Sequence, residues 1–352
     1  MRALQLVEWQ HEPELRDVAE PEPGPGELVV RIAGAGACHS DLHLMHDFVE
    51  GMLPFGPPFT LGHENSGWID AIGAGVRGVE VGQPVLVYGP WGCGRCRRCR
   101  EGAENYCERQ QELGVFGGGL GLDGGMALKM LVPSARHVVP LGDGIDPVDA
   151  APLADAALTP YHAIRRSSAL LGPESVAVVI GVGGLGQMAV ELLEALTPAR
   201  IVAVDTRESA LKDALAAGAS DVFGTSESAD DTVAEVARIT RGGLADVVLD
   251  FVGVDATLAL ASRVVRTLGH LTLVGIGGGT LPFSFFSTPY EVSIATTYWG
   301  TLPELMDVVA LAEAGTIRTT VTRFALDDAN QAYAAMQSGD LRGRAVIVPD
   351  GE

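Results

Sequence analysis

The sequence predicts a two-domain α/β protein, in which an irregular, mostly β domain is joined to a doubly wound parallel sheet. Its 352 residues are a length typical of two domains. Up to about residues 152–160, short apolar segments are separated by Gly and Pro, and beyond that point apolar strands alternate with helices. Strands that are apolar almost throughout and alternate with helices are typical of a parallel sheet covered on both faces.

Frequent turn signals divide the first part of the chain into short segments. Short apolar runs bounded by Gly and Pro are expected to form strands of an irregular β domain. The predicted strands are residues 28–32, 67–72, 84–87 and 130–133.

The second part of the chain alternates between the two element types. In order, the predictions are strand 175–180, helix 184–196, strand 200–205, helix 208–217, helix 230–240, strand 245–251, helix 255–265 and strand 270–276. From about residue 297 the chain is expected to return to the first domain, with a last strand at 345–348. The predicted domains are therefore 1–154 with 297–352, and 155–296.

Composition excludes several functional classes. The net charge of −21 and the pI near 4.7 disfavour binding to phosphate backbones and anionic lipid. Apolar runs are too short to cross a bilayer, and the N-terminus lacks the features of a signal peptide. We therefore expect a cytoplasmic protein that binds neither nucleic acid nor membranes.

Four of the five cysteines lie in one short loop, with the spacing C-x2-C-x2-C-x7-C at Cys93, Cys96, Cys99 and Cys107. Four thiolates this close suit a tetrahedral Zn²⁺ whose coordination is complete, which is a structural site. An iron–sulfur cluster and a pair of disulfides are the alternatives. A cytosolic context favours a metal over disulfides.

A glycine-rich turn follows the strand predicted at 175–180. It reads G-x-G-x-x-G and opens a helix, where free backbone N–H groups and the helix dipole favour a pyrophosphate. The residues expected to bind the dinucleotide here are Gly181, Gly183, Gly184, Leu185 and Gly186.

Asp205 ends the next predicted strand, about 20 residues after the glycines, where a carboxylate binds the adenosine ribose hydroxyls. A carboxylate repels a 2′-phosphate, so NAD is favoured over NADP. Arg207 keeps the alternative open, because an arginine at this place could bind that phosphate.

The remaining cysteine, Cys38, and the Gly-His-Glu motif containing His63 indicate a second metal site. Catalytic zinc commonly has three protein ligands and one open position. Asp155 is the best candidate for the third ligand, and Glu64 competes with it. A purely structural alternative for Asp155 is the N-cap of a helix ahead of Pro160.

Nearly the whole chain resembles the zinc-dependent medium-chain alcohol dehydrogenases, and most of all the bacterial NAD-dependent secondary alcohol dehydrogenases of Rhodococcus type. The motifs that carry the resemblance are ACHSDLH, TLGHENSG, GPWGCGRC, APLADAALTPYHA and VIGVGGLG. The resemblance implies a GroES-like catalytic domain built on a distorted β-barrel, a Rossmann NAD-binding domain, and two zinc ions per chain.

The resemblance also implies roles for individual residues. Cys38, His63 and Asp155 correspond to the catalytic zinc ligands, and Asp41 to the carboxylate that orients the ligand imidazole. Ser40 corresponds to the hydroxyl that contacts the substrate oxygen. The remaining implied roles are an outer proton relay at His43, pyrophosphate contacts at His39 and Arg344, and other cofactor contacts at Thr159, Phe251, Ile276 and Trp299.

The expected reaction is reversible oxidation of medium or aryl secondary alcohols to ketones or aldehydes. An apolar pocket is expected from Phe55, Trp91, Leu120, Phe285, Tyr298 and Trp299. The alternatives are a dehydrogenase directed at aldehydes or polyols, and a non-enzymatic NAD-binding redox sensor. An apolar edge strand at 293–299 and the resemblance together predict a homotetramer, or otherwise a dimer.

Overall fold

The computed structural model describes residues 1–224 and 229–349, so residues 350–352 of the predicted segment 297–352 lie outside the description. It contains two compact units, one formed by Met1–Asp155 with Gly300–Glu352 and the other by Ala156–Trp299. Among the described residues, no helix has both the length and the apolar character needed to cross a bilayer.

The first unit begins with short strands and short helices. The strands are β1 (Arg2–Leu6), β2 (Glu14–Asp17), β3 (Leu28–Gly36), β4 (Phe59–Thr60), β5 (Glu64–Ile72), β6 (Pro84–Val87), β7 (Gly117–Gly118), β8 (Gly121–Leu122), β9 (Lys129–Val132) and β10 (Val138–Pro140). The helices are α1 (His39–His46), α2 (Arg97–Arg100), α3 (Gln110–Leu113) and α4 (Pro147–Ala150).

The second unit alternates helices and strands. In chain order these are α5 (Leu158–Ser167), β11 (Val176–Ile180), α6 (Gly184–Leu196), β12 (Arg200–Asp205), α7 (Glu208–Ala216), β13 (Asp221–Gly224), α8 (Ala229–Ile239), β14 (Ala245–Asp250), α9 (Asp255–Val264), β15 (Val265–Leu273) and β16 (Ser293–Thr296). The chain then returns to the first unit with α10 (Leu302–Glu313), β17 (Val321–Ala325), α11 (Ala329–Ser338) and β18 (Arg344–Val348).

The main sheet of the first unit has the strand order β10-β6-β5-β3-β18-β17, with β9 also paired to β3. Gly36 on β3 is opposite Glu64 on β5 and opposite Val346 on β18. The C-terminal strand therefore lies beside the strands that carry the predicted site. Apolar side chains from β1, β3, β6 and α11 form the core below it, including Leu4, Ile32, Val85 and Ala332.

The sheet of the second unit has the order β13-β12-β11-β14-β15-β16, and every pairing in it is parallel. This confirms the predicted doubly wound sheet. The strand order changes direction between β11 and β14, which is where dinucleotides bind at the carboxyl ends of the strands. The interior of β11 is Val and Ala, fully buried as expected for a central parallel strand.

Several predicted strand boundaries were wrong. Strand β3 extends to Gly36 rather than to residue 32, and β5 begins at Glu64 rather than at residue 67. Strand β15 covers Val265–Leu273 rather than 270–276, because the N–H groups of Val274 and Gly275 turn to the carbonyl of Asp250. Strand β16 ends at Thr296 rather than at residue 299, and Trp299 has a left-handed backbone with φ of 56°.

Candidate active site and cofactor sites

The junction between β3 and α1 positions Cys38. This residue is the N-cap of α1, and its backbone N–H donates to the Asp41 carboxylate at 2.9 Å. An acidic side chain in the first turn of a helix accepts a free N–H and interacts favourably with the helix dipole. The Cys38 thiol is consequently fixed at the start of the helix and is only 6% exposed.

A glycine two residues before β5 positions His63 and Glu64. Gly62 has φ of +98°, and a Cβ there would lie 2.9 Å from the backbone nitrogen of Met126. Only glycine accommodates both the positive φ and the close approach of Met126 without strain. The imidazole of His63 and the carboxylate of Glu64 are buried where the strand begins.

Asp155 follows a short 3₁₀ helix, Ala151–Ala154, as its C-cap. The next helix, α5, has Ala157 at its N-cap, so the alternative of Asp155 as a helix N-cap is wrong. The Asp155 carboxylate instead faces the other two predicted ligands. Its Oδ2 lies 3.8 Å from Cys38 Sγ and 3.8 Å from His63 Nε2.

These donor atoms fit a zinc ion. Ligand atoms from Cys38, His63, Glu64 and Asp155 all lie within 4.8 Å of one another. Zinc bonds of about 2.0–2.3 Å in a tetrahedron place neighbouring ligand atoms about 3.3–3.8 Å apart, which matches the separations around Asp155. Thiolate, imidazole and carboxylate are the ligands that zinc prefers.

Glu64 forms a buried, bidentate ion pair with Arg344. One contact, Arg344 Nε to Glu64 Oε2, measures 3.0 Å, and Nη2 contacts Oε1. Burial raises the pKa of Glu64 to about 7, while the guanidinium acts to lower it. Arg344 Nη2 also lies 3.9 Å from Asp155 Oδ2. The ion pair compensates a carboxylate that is otherwise costly to bury, yet leaves Glu64 within the donor cluster.

Asp41, to which the resemblance assigns the orienting carboxylate, lies beside His63. Its Oδ1 is 3.3 Å from His63 Nδ1, and both side chains are buried. Burial acts to lower the pKa of His63, but the carboxylates of Asp41 and Asp155 outweigh that effect and raise it. A carboxylate on Nδ1 leaves Nε2 directed at the metal position, which is the usual arrangement around a zinc-binding histidine.

Helix α1 carries the predicted proton-transfer residues one turn apart. Ser40 Oγ lies 3.3 Å from His63 Nε2. His43 is partly exposed, and its Nδ1 contacts the Asp47 carboxylate. His39, at the first position of the helix, is exposed.

The cysteine loop brings its four sulfur atoms together as free thiols. Cys96 Sγ and Cys99 Sγ are 3.4 Å apart, and Cys93 Sγ and Cys99 Sγ are 3.9 Å apart. Disulfide bonds of about 2.05 Å are therefore not formed, whereas the separations suit four sulfurs around one zinc. Backbone N–H groups point at the sulfurs, and that of Arg95 contributes most to lowering the pKa of Cys93 to about 6.

A buried network that the sequence reasoning missed anchors this loop. The Glu104 carboxylate accepts hydrogen bonds from Gly92 N at 2.7 Å and Arg136 Nε at 2.8 Å, and lies 3.1 Å from His137 Nε2. Trp91 stacks on His137 with ring centroids 5.4 Å apart. Burial acts to raise the pKa of Glu104, but the hydrogen bonds from His137 and Arg136 outweigh it and lower that pKa.

In the second unit, the glycine turn has the geometry of a dinucleotide site. Gly181 has φ of +83°, and a Cβ on Gly186 would lie 1.9 Å from the Gly181 carbonyl oxygen. A Cβ on Gly183, by contrast, would meet no heavy atom within 4 Å. Gly183 is the N-cap of the 13-residue helix α6, so the open space lies at the positive end of a helix dipole.

Asp205 ends β12 beside this turn. Its Oδ2 accepts from Val182 N at 2.7 Å, and its Oδ1 accepts from Arg207 N at 2.9 Å. The Arg207 side chain folds back onto the same carboxylate, with Nε 3.2 Å from Oδ1. The carboxylate and the guanidinium that were expected to distinguish NAD from NADP therefore lie in one cluster.

The other predicted contacts differ in exposure. In the second unit, Thr159 and Trp299 are buried, Phe251 is partly buried, and Tyr298, Ile276 and Phe285 are exposed. In the first unit, Trp91 is buried, and Phe55 and Leu120 pack against the same core.

Comparison with known proteins agrees with this geometry. Residues 24–143 match the alcohol dehydrogenase GroES-like domain, and residues 184–314 match the zinc-binding dehydrogenase domain. The NAD-dependent alcohol dehydrogenase of Sulfurisphaera tokodaii is 36% identical over 99% of this chain and 100% of its own. The D-arabinose 1-dehydrogenase (NADP(+)) of Saccharolobus solfataricus is 34% identical over 99% of this chain and 97% of its own.

Solved structures give the same result. The alcohol dehydrogenase of Aeropyrum pernix superposes with a TM-score of 0.91 at 37% identity, covering 99% of this chain and 100% of that one. The fold and the two thiol-containing donor clusters define a zinc-binding dehydrogenase with a GroES-like domain and a Rossmann domain. More particularly, the chain belongs to the medium-chain alcohol dehydrogenase family.

Proposed function

We propose that the protein is a cytoplasmic, NAD-dependent zinc alcohol dehydrogenase that interconverts medium or aryl secondary alcohols and their ketones. The observation that carries the proposal is the convergence of Cys38, His63 and Asp155, with Ser40 beside them. The free cysteines support a reducing compartment.

The residues that would hold the catalytic zinc are Cys38, His63 and Asp155, with Glu64 as a fourth donor. When bound, zinc supplies Lewis acidity that makes an alcohol hydroxyl more acidic. With a carboxylate from Asp155, the donor set is harder than it would be with a second thiolate. Both Glu64 oxygens already contact Arg344, so Glu64 would be the donor that gives up its coordination position to substrate.

The chain's own residues would remove the hydroxyl proton. Ser40 Oγ is beside the ligand imidazole and would accept that proton as it passes its own onward. His43, one helical turn further along α1, would receive it and release it to solvent. The Asp47 carboxylate contacts Nδ1 and would hold the orientation of the ring.

NAD supplies the hydride acceptor when bound. The open position at Gly183 and the N-terminus of α6 would bind its pyrophosphate. Asp205 would bind the adenosine ribose in place of its present contacts with Val182 and Arg207.

Two relatives bear on the substrate. An acetophenone reductase from Geotrichum candidum, solved with NAD, is 29% identical with a TM-score of 0.84, covering 100% of this chain and 98% of that one. It supports an aryl ketone and its secondary alcohol. The relative named D-arabinose 1-dehydrogenase supports the alternative, a sugar or polyol. The apolar surroundings of Phe55 and Leu120 favour the first.

A substrate panel tests the proposal. The panel contains hexan-2-ol, 1-phenylethanol, sorbitol, D-arabinose and formaldehyde, each with NAD and with NADP, and reduced nicotinamide is measured by absorbance. We expect the highest kcat/KM for 1-phenylethanol or hexan-2-ol with NAD. A higher value for sorbitol, D-arabinose or formaldehyde would establish the alternative.

Zinc analysis distinguishes an enzyme from a redox sensor. The purified protein should contain two zinc ions per chain, and Cys38→Ser should contain one, fold normally and lack turnover. Cys99→Ser should mainly lose stability, because metal binding orders that loop. One zinc in the wild-type protein, together with no turnover on any alcohol, would support the sensor.

We also propose that the chain forms a homotetramer built from dimers. Strand β16 lies at the edge of its sheet in the described residues, and Ile294 on it is 39% exposed. An apolar edge of this kind favours pairing with a second copy. Nearby in sequence, large aromatic side chains are exposed, namely Phe283, Phe285, Phe286 and Tyr290.

A further inference from the structure

The buried phenol of Tyr333 lies behind the candidate metal site. Tyr333 is on helix α11 and is 2% exposed. Its hydroxyl donates to Asp41 Oδ2 at 3.1 Å and lies 3.2 Å from the sulfur of Met126. A carboxylate is the stronger acceptor of the two, so the single phenolic proton belongs to Asp41.

The Asp41 carboxylate contacts both ligand-bearing segments. Oδ2 accepts the backbone N–H of Cys38 at 2.9 Å, and Oδ1 lies 3.3 Å from His63 Nδ1. A small rotation of this carboxylate would therefore disturb one ligand through its backbone and the other through its ring. Without the Tyr333 hydroxyl, Oδ2 would keep only the hydrogen bond from Cys38.

The Met126 contact connects the same hydroxyl to the segment before His63. The Met126 backbone N–H donates to the carbonyl of Leu61 at 2.9 Å, two residues before the histidine. The Tyr333 hydroxyl thus contacts both α1 and, through Met126, the segment that precedes β5. The surroundings are apolar, and a hydrogen bond to a carboxylate is strong there.

We propose that Tyr333 is a positioning residue for the catalytic metal, acting through Asp41 on both Cys38 and His63. The proposal rests on the proposed function, because it takes those two residues as zinc ligands. Groups behind the metal ligands typically contribute 10–100-fold to metal affinity or activity. Tyr333 lies 292 residues from Asp41 in sequence, and the C-terminal segment of the chain is required to complete the site.

The test is the rate of zinc release to the chelator 4-(2-pyridylazo)resorcinol from Tyr333→Phe, which removes only the hydroxyl oxygen. The matched control is Tyr88→Phe. Tyr88 is also fully buried in the first unit, and its hydroxyl donates to the Gly300 carbonyl at 2.7 Å. We expect release of one of the two zinc ions to be about 10-fold faster in Tyr333→Phe. In Tyr88→Phe, the release of that ion should keep the wild-type rate.

Two further measurements make the result specific. The visible absorption of the Co²⁺-substituted protein should shift in Tyr333→Phe and not in Tyr88→Phe. Asp41→Asn should release the same zinc ion faster, and the double variant should show less than the product of the two effects, since both act on one carboxylate. If Tyr333→Phe does not fold, the rate of zinc release from Asp41→Asn provides the test.

Wild-type release and an unchanged cobalt spectrum in Tyr333→Phe would overturn the inference, and so would wild-type release from Asp41→Asn. Both outcomes are distinct from failure of the proposed function, in which the wild-type protein itself would hold only one zinc ion and Cys38→Ser would hold the same amount.

Discussion

Single buried charges are compensated by specific partners throughout the first unit. Asp41 receives N–H and O–H donors, Glu64 receives the guanidinium of Arg344, and Glu104 receives donors from Arg136 and His137. An unpaired buried charge costs several kcal/mol, so each of these partners is needed for the fold as well as for the site. In our proposal the preference for NAD or NADP also depends on single residues.

Asp205→Ser should shift the cofactor preference towards NADP. The change removes the ribose acceptor and the charge that repels a 2′-phosphate, and it frees Arg207 from its carboxylate partner. We expect the ratio of kcat/KM for NADP to that for NAD to rise about 10-fold or more, which corresponds to about 1.4 kcal/mol. Steady-state kinetics with both cofactors measures it.

The control for this change is Asp205→Ser combined with Arg207→Ala, in which most of the gain should be lost. A ratio that stays at the wild-type value in Asp205→Ser would place the adenosine ribose elsewhere.

At the scale of elements, backbone geometry determines where each functional group lies. Helix α1 begins directly after β3 with Cys38 as its N-cap, and Gly62 allows the sharp turn into β5. The glycine turn before α6 combines two distinct requirements, close packing at Gly186 and open space at Gly183. The close packing is a requirement of the fold, and the open space is what the proposed binding of a pyrophosphate would require.

Two alanine substitutions separate these requirements. Gly183→Ala adds a Cβ in open space, so the protein should keep its unfolding temperature but bind NAD at least 10-fold more weakly. Gly186→Ala places a Cβ 1.9 Å from a carbonyl oxygen and should destabilise the second unit by about 1–3 kcal/mol. Calorimetry and NAD titration measure the two effects, and equal losses of stability would contradict the distinction.

Glu104→Gln should destabilise the cysteine loop while leaving its four cysteines unchanged. Replacing a buried acceptor that serves charged donors should cost about 2 kcal/mol at pH 7. The folded-state pKa of Glu104 is lowered. Its contribution is therefore complete above the unfolded value of about 4.3 and is lost as pH falls through the lower folded value. The free energies of unfolding of the wild-type protein and Glu104→Gln should therefore converge as the pH falls. A difference that stays constant down to pH 3 would show that it does not come from the Glu104 carboxylate.

At the scale of the whole molecule, the two units contain different candidate sites. The unit formed by both chain ends contains both candidate metal sites, and the central unit contains the glycine turn and the exposed aromatic side chains. Return of the chain to the first unit adds β18 beside β3, and with it Arg344 beside Glu64. In our proposal the copies of the chain pair through strand β16 of the central unit.

The edge strand gives a test of assembly. Ile294→Lys on β16 and Phe286→Asp in the aromatic segment should each lower the molecular weight in solution towards the 36.7 kDa monomer. Val81→Lys is the control, because Val81 is an apolar residue of the first unit and is 65% exposed. Sedimentation equilibrium at micromolar concentration measures the mass. A wild-type monomer would show that the edge does not pair.

The sequence by itself determined the features whose physical cause is local. The cysteine spacing, the glycine turn with Asp205 and the alternation of strands and helices all depend on residues near one another in the chain. The parallel sheet predicted from that alternation is confirmed. Tertiary structure decided what depends on distant residues: the pairing of Glu64 with Arg344, the network around Glu104, and the contact of Tyr333 with Asp41. These partners are 280, 33 and 292 residues apart, and no local pattern records a contact that only the folded chain creates.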